Sequence, residues 1–177
     1  RMRSGHERGQ ACNWWRDADR DLLLCRELGL NAIRLSVEWS RLEPTRNKIE
    51  SREIERYREL LKAIHSAGMR PFITLHHFTH PQWFEELGGF LWEGAEKRFA
   101  AVARLAVESF GDLCSDWVTF NEPNVFAVFG YVFGEFPPAR RNGVRECALV
   151  LSKMHRAHAL AYGEIHAIQK NASVGLA

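Results

Sequence analysis

Residues 51–77 read SREIERYRELLKAIHSAGMRPFITLHH, and this stretch contains one complete step from helix to strand. Between positions 51 and 67 the apolar residues recur at helical spacing, at Ile54, Tyr57, Leu61 and Ile64. Gly68 then ends the predicted helix, and Pro71 introduces an apolar strand over residues 72–77. The stretch therefore predicts a helix, a glycine stop and a strand in quick succession.

The same unit recurs on both sides of this stretch. Further helices are predicted over residues 17–28, 95–110 and 146–169, and further strands over residues 32–39, 117–121 and 173–176. In the strand at 32–39, Ile33, Leu35, Val37 and Trp39 alternate with Arg34, Ser36 and Glu38. A long loop rich in Gly, Pro and aromatic residues is predicted after residue 121.

Strands that alternate with helices of this length predict an α/β fold with a parallel sheet. No Gly-rich phosphate turn of the GxGxxG or GxxxxGK type follows a strand, which favours a (β/α)8 barrel over a doubly wound sheet. A complete barrel needs roughly 250 residues. The 177 residues are therefore expected to form one partial barrel domain, 1–177, truncated at both ends. The two open edges of such a sheet are expected to pair or aggregate.

Composition excludes several classes of function. The chain has 24 basic and 22 acidic residues, a net charge of +2, which does not indicate binding to nucleic acid or to an anionic membrane. No apolar run approaches the roughly 20 residues that cross a bilayer. The first residue is Arg1, so the native start is expected to be missing. The four cysteines are far apart without a CxxC pair, which favours reduced thiols and a cytoplasmic protein over disulfides or metal ligands.

Polar residues stand where each predicted strand ends, and in a barrel the active site lies at those ends. The clearest case is Asn121-Glu122-Pro123. A Glu at the end of an apolar strand is expected in a low-dielectric mouth, which favours the protonated acid and suits proton donation. The Asn amide can hold a sugar hydroxyl, and Pro123 ends the strand. The alternative interpretation of Glu122 is a helix N-cap or a solvated acid in a loop.

Other strand residues are candidates as well. Arg34 needs an anionic partner, either a catalytic carboxylate that it holds ionised or Glu38 in a structural ion pair. His76 and His77 face opposite ways on a strand, so only one can reach a ligand, and a zinc site that also uses His80 is disfavoured. Aromatic residues crowd the loops and suit either sugar faces or core packing: Trp83, Phe84, Trp92, Phe126, Phe129 and Tyr131.

Longer motifs in the chain resemble a known family. They are ELGLNAIRLSVEWSRLEP at 27–44, PFITLHHFTHP at 71–81 and WVTFNEPN at 117–124, followed by Gly130-Tyr131 and the segment 134–138. Over essentially the whole chain they are similar to glycoside hydrolase family 1, the β-glucosidase and β-galactosidase family of retaining (β/α)8 enzymes. The resemblance implies that the predicted strands are the second to fourth of the barrel, with the start of the fifth.

The resemblance also implies roles for individual residues. Glu122 corresponds to the catalytic acid/base, Asn121 to the contact with the sugar 2-hydroxyl, His77 to a glycone-binding residue and Arg34 to the residue that steadies the nucleophile. Phe78 stands where many members have Trp, and His80 stands where the position is often apolar.

The implied activity is double displacement on a β-glucoside or related β-glycoside, with no metal and no organic cofactor. The Gln-bearing first strand would precede residue 1 and the nucleophilic Glu would follow residue 177, so the fragment alone is expected to be inactive. The alternatives are a non-catalytic carbohydrate-binding remnant and an endo-acting member of another family of the same clan, which shares Asn-Glu-Pro but not the other motifs.

Overall fold

The computed structural model describes residues 11–177, and the predicted domain start at residue 1 lies outside the described residues. Four parallel strands form one sheet in the order in which they occur in the chain. They are β1 (Ala32–Ser36), β2 (Arg70–His76), β3 (Asp116–Phe120) and β4 (Ser173–Gly175). The predicted parallel α/β arrangement and the order of the strands are confirmed.

Helices connect the strands and cover one side of the sheet. They are α1 (Trp14–Glu27), α2 (Trp39–Leu42), α3 (Ser51–Ser66), α4 (Gln82–Glu86), a 3-10 turn (Gly89–Leu91), α5 (Ala95–Phe110), α6 (Pro123–Ala127), a π-helix (Val128–Phe133) and α7 (Val144–Ile168). Both bounds of α5 agree with the sequence prediction, and α1, α3 and α7 differ from theirs by three residues or fewer. The glycines predicted to end α1 and α3, Gly29 and Gly68, both have positive φ.

The core lies between the sheet and helices α3, α5 and α7. Phe99 of α5 stacks on Phe120 of β3 with ring centroids 4.2 Å apart, and neither side chain is accessible to solvent. Burial of one such ring stabilises a fold by roughly 1.5–3 kcal/mol. Packing of this kind fixes the helices on the outside of the sheet and leaves the carboxyl ends of the strands free for a site.

Strand β1 ends earlier than predicted. The extended pattern was expected to run to Trp39, but the strand ends at Ser36 and Trp39 begins the one-turn helix α2. A helical turn brings residues four apart together, and here it lets the indole Nε1 of Trp39 donate to Glu43 Oε2 at 2.9 Å. The predicted alternation nevertheless holds, because Leu35 and Val37 are buried and Arg34 is exposed.

The long loop predicted after β3 is wrong over residues 123–133, which are helical. Pro123 occupies the first helical position of α6, where its missing N–H has no cost. The helix then continues as the π-helix over Val128–Phe133. Phe126 of α6 and Tyr131 of the π-helix are both buried. Burial of these rings outweighs the Gly and Pro content that predicted a loop.

The sheet is open in the described part of the chain, with β1 and β4 as its two edges. Large apolar side chains near the β1 edge are exposed, including Leu28 and Leu30. The expectation that such edges pair or aggregate stays a prediction. Among residues 11–177, no helix is both long and apolar enough to cross a membrane.

Candidate active site

Strands β1, β2 and β3 bring their carboxyl ends to the same edge of the sheet. Ser36 pairs with Thr74 across β1 and β2, and His76 pairs with Phe120 across β2 and β3. The backbone N–H of Asn121 then donates to the carbonyl of His76 at 2.9 Å, which extends the pairing by one residue. This register places the residues that follow β2 and β3 side by side.

Arg34 reaches across β2 to the end of β3. Its Nη2 donates to Asn121 Oδ1 at 2.9 Å, although β1 and β3 are not neighbours in the sheet. The alternative, an ion pair with Glu38, is not formed among residues 11–177, where the two carboxylate oxygens of Glu38 accept from Ser40 and Thr79. Because Arg34 occupies Oδ1 of Asn121, the amide N–H2 of Asn121 is the group left to meet a ligand.

His76 and His77 do face opposite ways, as the alternation of a strand requires. His76 is buried behind the sheet, whereas His77 is exposed and its Nδ1 lies 3.2 Å from the hydroxyl of Ser36. Desolvation lowers the pKa of His77, the positive charge of Arg34 lowers it further, and the carboxylates of Glu122 and Glu38 oppose the shift. His77 is therefore a neutral imidazole at pH 7 that can exchange hydrogen bonds with hydroxyl groups.

Glu122 directly follows Asn121 and has a strained backbone. Its φ and ψ are 44° and 60°, in the left-handed region that non-glycine residues rarely adopt. The conformation is held on both sides, because its N–H donates to the carbonyl of Ala177 at 2.7 Å and its carbonyl accepts from Phe126 N–H at 3.0 Å. Strain of this kind costs on the order of 1–3 kcal/mol and is concentrated at functional sites.

The expected low-dielectric mouth around Glu122 is not formed by residues 11–177, where the Glu122 side chain is exposed. The reason is geometric. Four strands make an open sheet, and an open sheet presents its strand ends to solvent on the side that further strands of a barrel would face.

Aromatic side chains lie beside His77 at the edge of the candidate site. Phe78, with φ of 70°, packs its ring edge-on to His77 at 5.2 Å and lies 5.6 Å from Phe136. Phe136 in turn stacks on Phe129 at 5.2 Å. Of the loop aromatics that the sequence offered for sugar contact, Phe84, Phe126 and Tyr131 instead belong to the buried core.

Sequence reasoning left His80 without a role and missed Glu85 altogether. His80 lies 3.3 Å from His76 through Nδ1 and 2.9 Å from Glu85 through Nε2. Glu85 lies in α4, a five-residue helix that was too short to be predicted from periodicity. His77 points away from this pair, and within the described range no three His, Cys, Asp or Glu side chains are grouped as a metal site would require.

Comparison of the sequence with known proteins identifies one family over the whole chain. The sequence profile described as glycosyl hydrolase family 1 matches residues 1–177. Beta-glucosidase 11 of Arabidopsis thaliana is 41% identical over 132 residues, which cover 73% of this chain and 25% of that protein. The chloroplastic galactolipid galactosyltransferase SFR2 of the same plant is 33% identical over 168 residues, 86% of this chain and 27% of the relative.

Solved structures agree with the sequence comparisons. The AHE enzyme from Alicyclobacillus herbarius superimposes with a TM-score of 0.94 at 31% identity, covering 99% of this chain and 40% of that one. A beta-glucosidase from Thermotoga maritima in complex with a methoxycarbonyl-substituted glucoimidazole gives a TM-score of 0.93 at 26% identity with the same coverage. The predicted partial (β/α)8 barrel is thereby confirmed, and the chain spans about two fifths of the length of these structures.

Proposed function

Because the chain belongs to glycosyl hydrolase family 1, we propose that it supplies the acid/base and glycone-binding side of a retaining β-glycosidase site. In this proposal Glu122 is the acid/base, Asn121 and His77 bind the sugar, and Arg34 steadies the opposing carboxylate. Proteins named beta-glucosidases among its relatives support a β-glucoside or related β-glycoside as the substrate.

The observation that carries the proposal is the Arg34–Asn121 hydrogen bond beside Glu122 and His77. It links β1 to the residue after β3, two strands that are not neighbours, and it leaves the amide N–H2 of Asn121 as the group that can donate to a ligand. A sugar hydroxyl there meets a neutral imidazole, an amide donor and a carboxyl group. This combination suits a polyhydroxylated, uncharged ligand.

The chemistry follows double displacement. Protonated Glu122 gives its proton to the glycosidic oxygen while the bond from that oxygen to C1 breaks, and a second carboxylate forms an ester with C1. Glu122, now ionised, takes a proton from water, which attacks C1 and releases the second carboxylate. That second group would stand about 5–5.5 Å from Glu122. Since no residue of this chain has been assigned to it, the 177 residues alone are expected to show no turnover.

The test is Glu122→Ala in the intact protein that carries these residues. The variant should slow glycosylation by roughly 10²–10⁴-fold for poor leaving groups, and far less for activated aryl leaving groups that need little protonation. Azide, which needs no general base, should restore the second step and yield a β-glycosyl azide. Glu135→Ala, an exposed carboxylate after the same strand, is the control and should behave like wild type.

Equal losses on good and poor leaving groups, without rescue by azide, would exclude this role for Glu122. An α-glycosyl azide would instead identify Glu122 as the nucleophile. Analysis of the products with an added sugar acceptor separates hydrolysis from glycosyl transfer, the activity in the name of the Arabidopsis galactosyltransferase.

A carbohydrate-binding protein without catalysis is the second candidate. It is favoured by two facts within residues 11–177: Arg34 bonds to Asn121, and the charge of Arg34 lies close enough to His77 to lower the pKa of its imidazole, so a sugar could bind without the second carboxylate. Calorimetry with glucose, compared between wild type and His77→Ala, would detect such binding where no turnover is found.

We also propose a reducing compartment such as the cytoplasm. All four cysteines lie in the described residues and none forms a disulfide, with Cys114 and Cys147 buried. Reduced thiols of this kind are usual in proteins that do not meet an oxidising environment.

A further inference from the structure

Behind the candidate site, three titratable side chains form one hydrogen-bonded line. Glu85 Oε2 lies 2.9 Å from His80 Nε2, and His80 Nδ1 lies 3.3 Å from His76 Nε2. His76 is 1% exposed, and the His80 side chain is 8% exposed. The mechanism proposed above uses none of these three groups.

The proton positions along this line follow from what each group can donate. An ionised carboxylate only accepts, so Nε2 of His80 carries a hydrogen and donates to Glu85. In a neutral imidazole the other nitrogen is then an acceptor, and Nδ1 of His80 accepts from Nε2–H of His76. One arrangement of hydrogens thus satisfies both contacts with both rings neutral.

The surroundings of His76 favour the same arrangement. Phenylalanine rings pack around it at centroid distances of 5.2 to 5.4 Å, from Phe90, Phe120 and Phe126. Burial lowers the pKa of His76 well below its ordinary value, and the neighbouring His80 and His77 lower it further. Its Nδ1 is buried without a polar partner among the described residues, so the contact with His80 is what orients the ring.

The hydrogen bond between His76 and His80 also links the two ends of a short chain segment, residues 76–80. His76 ends β2 and His80 lies four residues later, so that His77 and Phe78 are held between them. Glu85 then ties His80 to helix α4. The left-handed φ of 70° at Phe78 needs such support, because a non-glycine residue relaxes from this conformation when its surroundings loosen.

We infer that His80 and Glu85 are positioning residues that hold His77 and Phe78 beside Glu122 and Asn121 through the buried imidazole of His76. The inference rests on the proposed function for its kinetic consequence. The predicted geometry is independent of the proposed function and can be observed separately.

The kinetic test uses the intact protein and compares His80→Leu, His80→Gln and Glu85→Leu. Misplacement of His77 should remove about one hydrogen bond to the sugar, which corresponds to a loss of affinity of up to about 10-fold, so the two Leu variants should raise KM for an aryl β-glucoside by up to about 10-fold. Because His77 is proposed to bind the sugar in both the ground state and the transition state, kcat should change little. His80→Gln has a donor and an acceptor on one side-chain amide and should largely restore KM.

Glu86→Gln is the control, since Glu86 is the next residue of α4, is exposed, and within residues 11–177 its side chain accepts a hydrogen bond from Gln82 alone. It should leave both kinetic constants unchanged. If His80→Leu lowered the apparent kcat at an unchanged KM, the pair would only maintain the amount of folded protein, and the inference would be overturned.

An NMR measurement of the imidazole nitrogens tests the geometry without turnover. The expected result is that His80 and His76 are both Nε2–H tautomers in wild type, and that His80→Leu shifts the ring signals of His77 while Glu86→Gln does not. A Nδ1–H tautomer at His80, or His77 signals that His80→Leu leaves in place, would overturn the inference. Failure of the proposed function alone would appear as absent turnover with these NMR results intact.

Discussion

Replacing Glu43 by Ala should destabilise the protein far more than replacing a surface carboxylate such as Glu50. The carboxylate is only 1% exposed and accepts from three donors. Trp39 Nε1 donates to it at 2.9 Å, the backbone N–H of Asn47 donates at 2.6 Å, and the guanidinium of Arg98 forms an ion pair with it. Glu43 thereby ties α2 and the loop that follows it to α5.

The size of the effect follows from what Ala leaves behind. A buried neutral donor that loses its acceptor costs about 1 kcal/mol or more, and there are two of these. Removal of one partner of a buried ion pair costs about 3–5 kcal/mol. Arg98 remains 22% exposed, so water can reach it, and the lower part of that range applies. A total of about 5 kcal/mol results, which is a large fraction of the roughly 5–15 kcal/mol that stabilises a typical domain.

Urea unfolding followed by tryptophan fluorescence measures this loss. Glu43→Gln keeps one acceptor oxygen and should cost about half as much as Glu43→Ala. Glu50→Ala is the control, because Glu50 pairs with Lys48 at 3.1 Å on the surface and such pairs contribute at most about 1 kcal/mol. A loss below about 1 kcal/mol for Glu43→Ala, at an unchanged m-value, would refute the reasoning.

Acid should destabilise the fold through His76, because burial lowers the pKa of its imidazole below the ordinary 6.5. The unfolded chain therefore binds more protons than the folded chain, and the free energy of unfolding falls as the pH drops below about 6.5. The slope is at most about 1.4 kcal/mol per pH unit, and His76→Phe should flatten the dependence of Tm on pH between 7.5 and 5; an equal slope in both proteins would contradict this. At pH 8, iodoacetamide should label the exposed Cys12 well before Cys114, because burial raises the pKa of Cys114 to about 11, and peptide mass spectrometry shows the order. Gly134→Ala should lower the urea midpoint by the equivalent of about 1–3 kcal/mol, since its φ is +67° and a Cβ would lie 2.8 Å from a backbone carbonyl. A Cβ at Gly163, inside α7, would meet open space, so Gly163→Ala should raise the urea midpoint by the equivalent of about 0.5–1 kcal/mol. Shifts of the same sign in both glycine variants would contradict these two predictions.

Local pattern was enough to predict the elements that bury one regular face. Helix α5 was located to the residue, because its apolar stripe and its glycine stop both depend on neighbouring positions alone. The opposite orientations of His76 and His77 were predicted for the same reason, since side chains alternate along any strand. The position of Glu122 at a strand end also followed from the sequence, although its exposure did not.

Partners that are distant in the chain were decided by the tertiary structure. Arg34 could have met Glu38 on its own strand, yet it bonds to Asn121, 87 residues away, because the parallel register brings the end of β3 within reach of β1. Glu43 and Arg98 meet because helix α5 packs beside α2 and its loop.

The same holds for the segment after β3. Its Gly and Pro content predicts a loop, but the backbone is helical and buries Phe126 and Tyr131 in the core. A sequence determines which faces are apolar and where polar residues interrupt them. Which of several possible charged or aromatic partners a side chain finds depends on strand register and helix placement, and these are set by packing of the whole sheet.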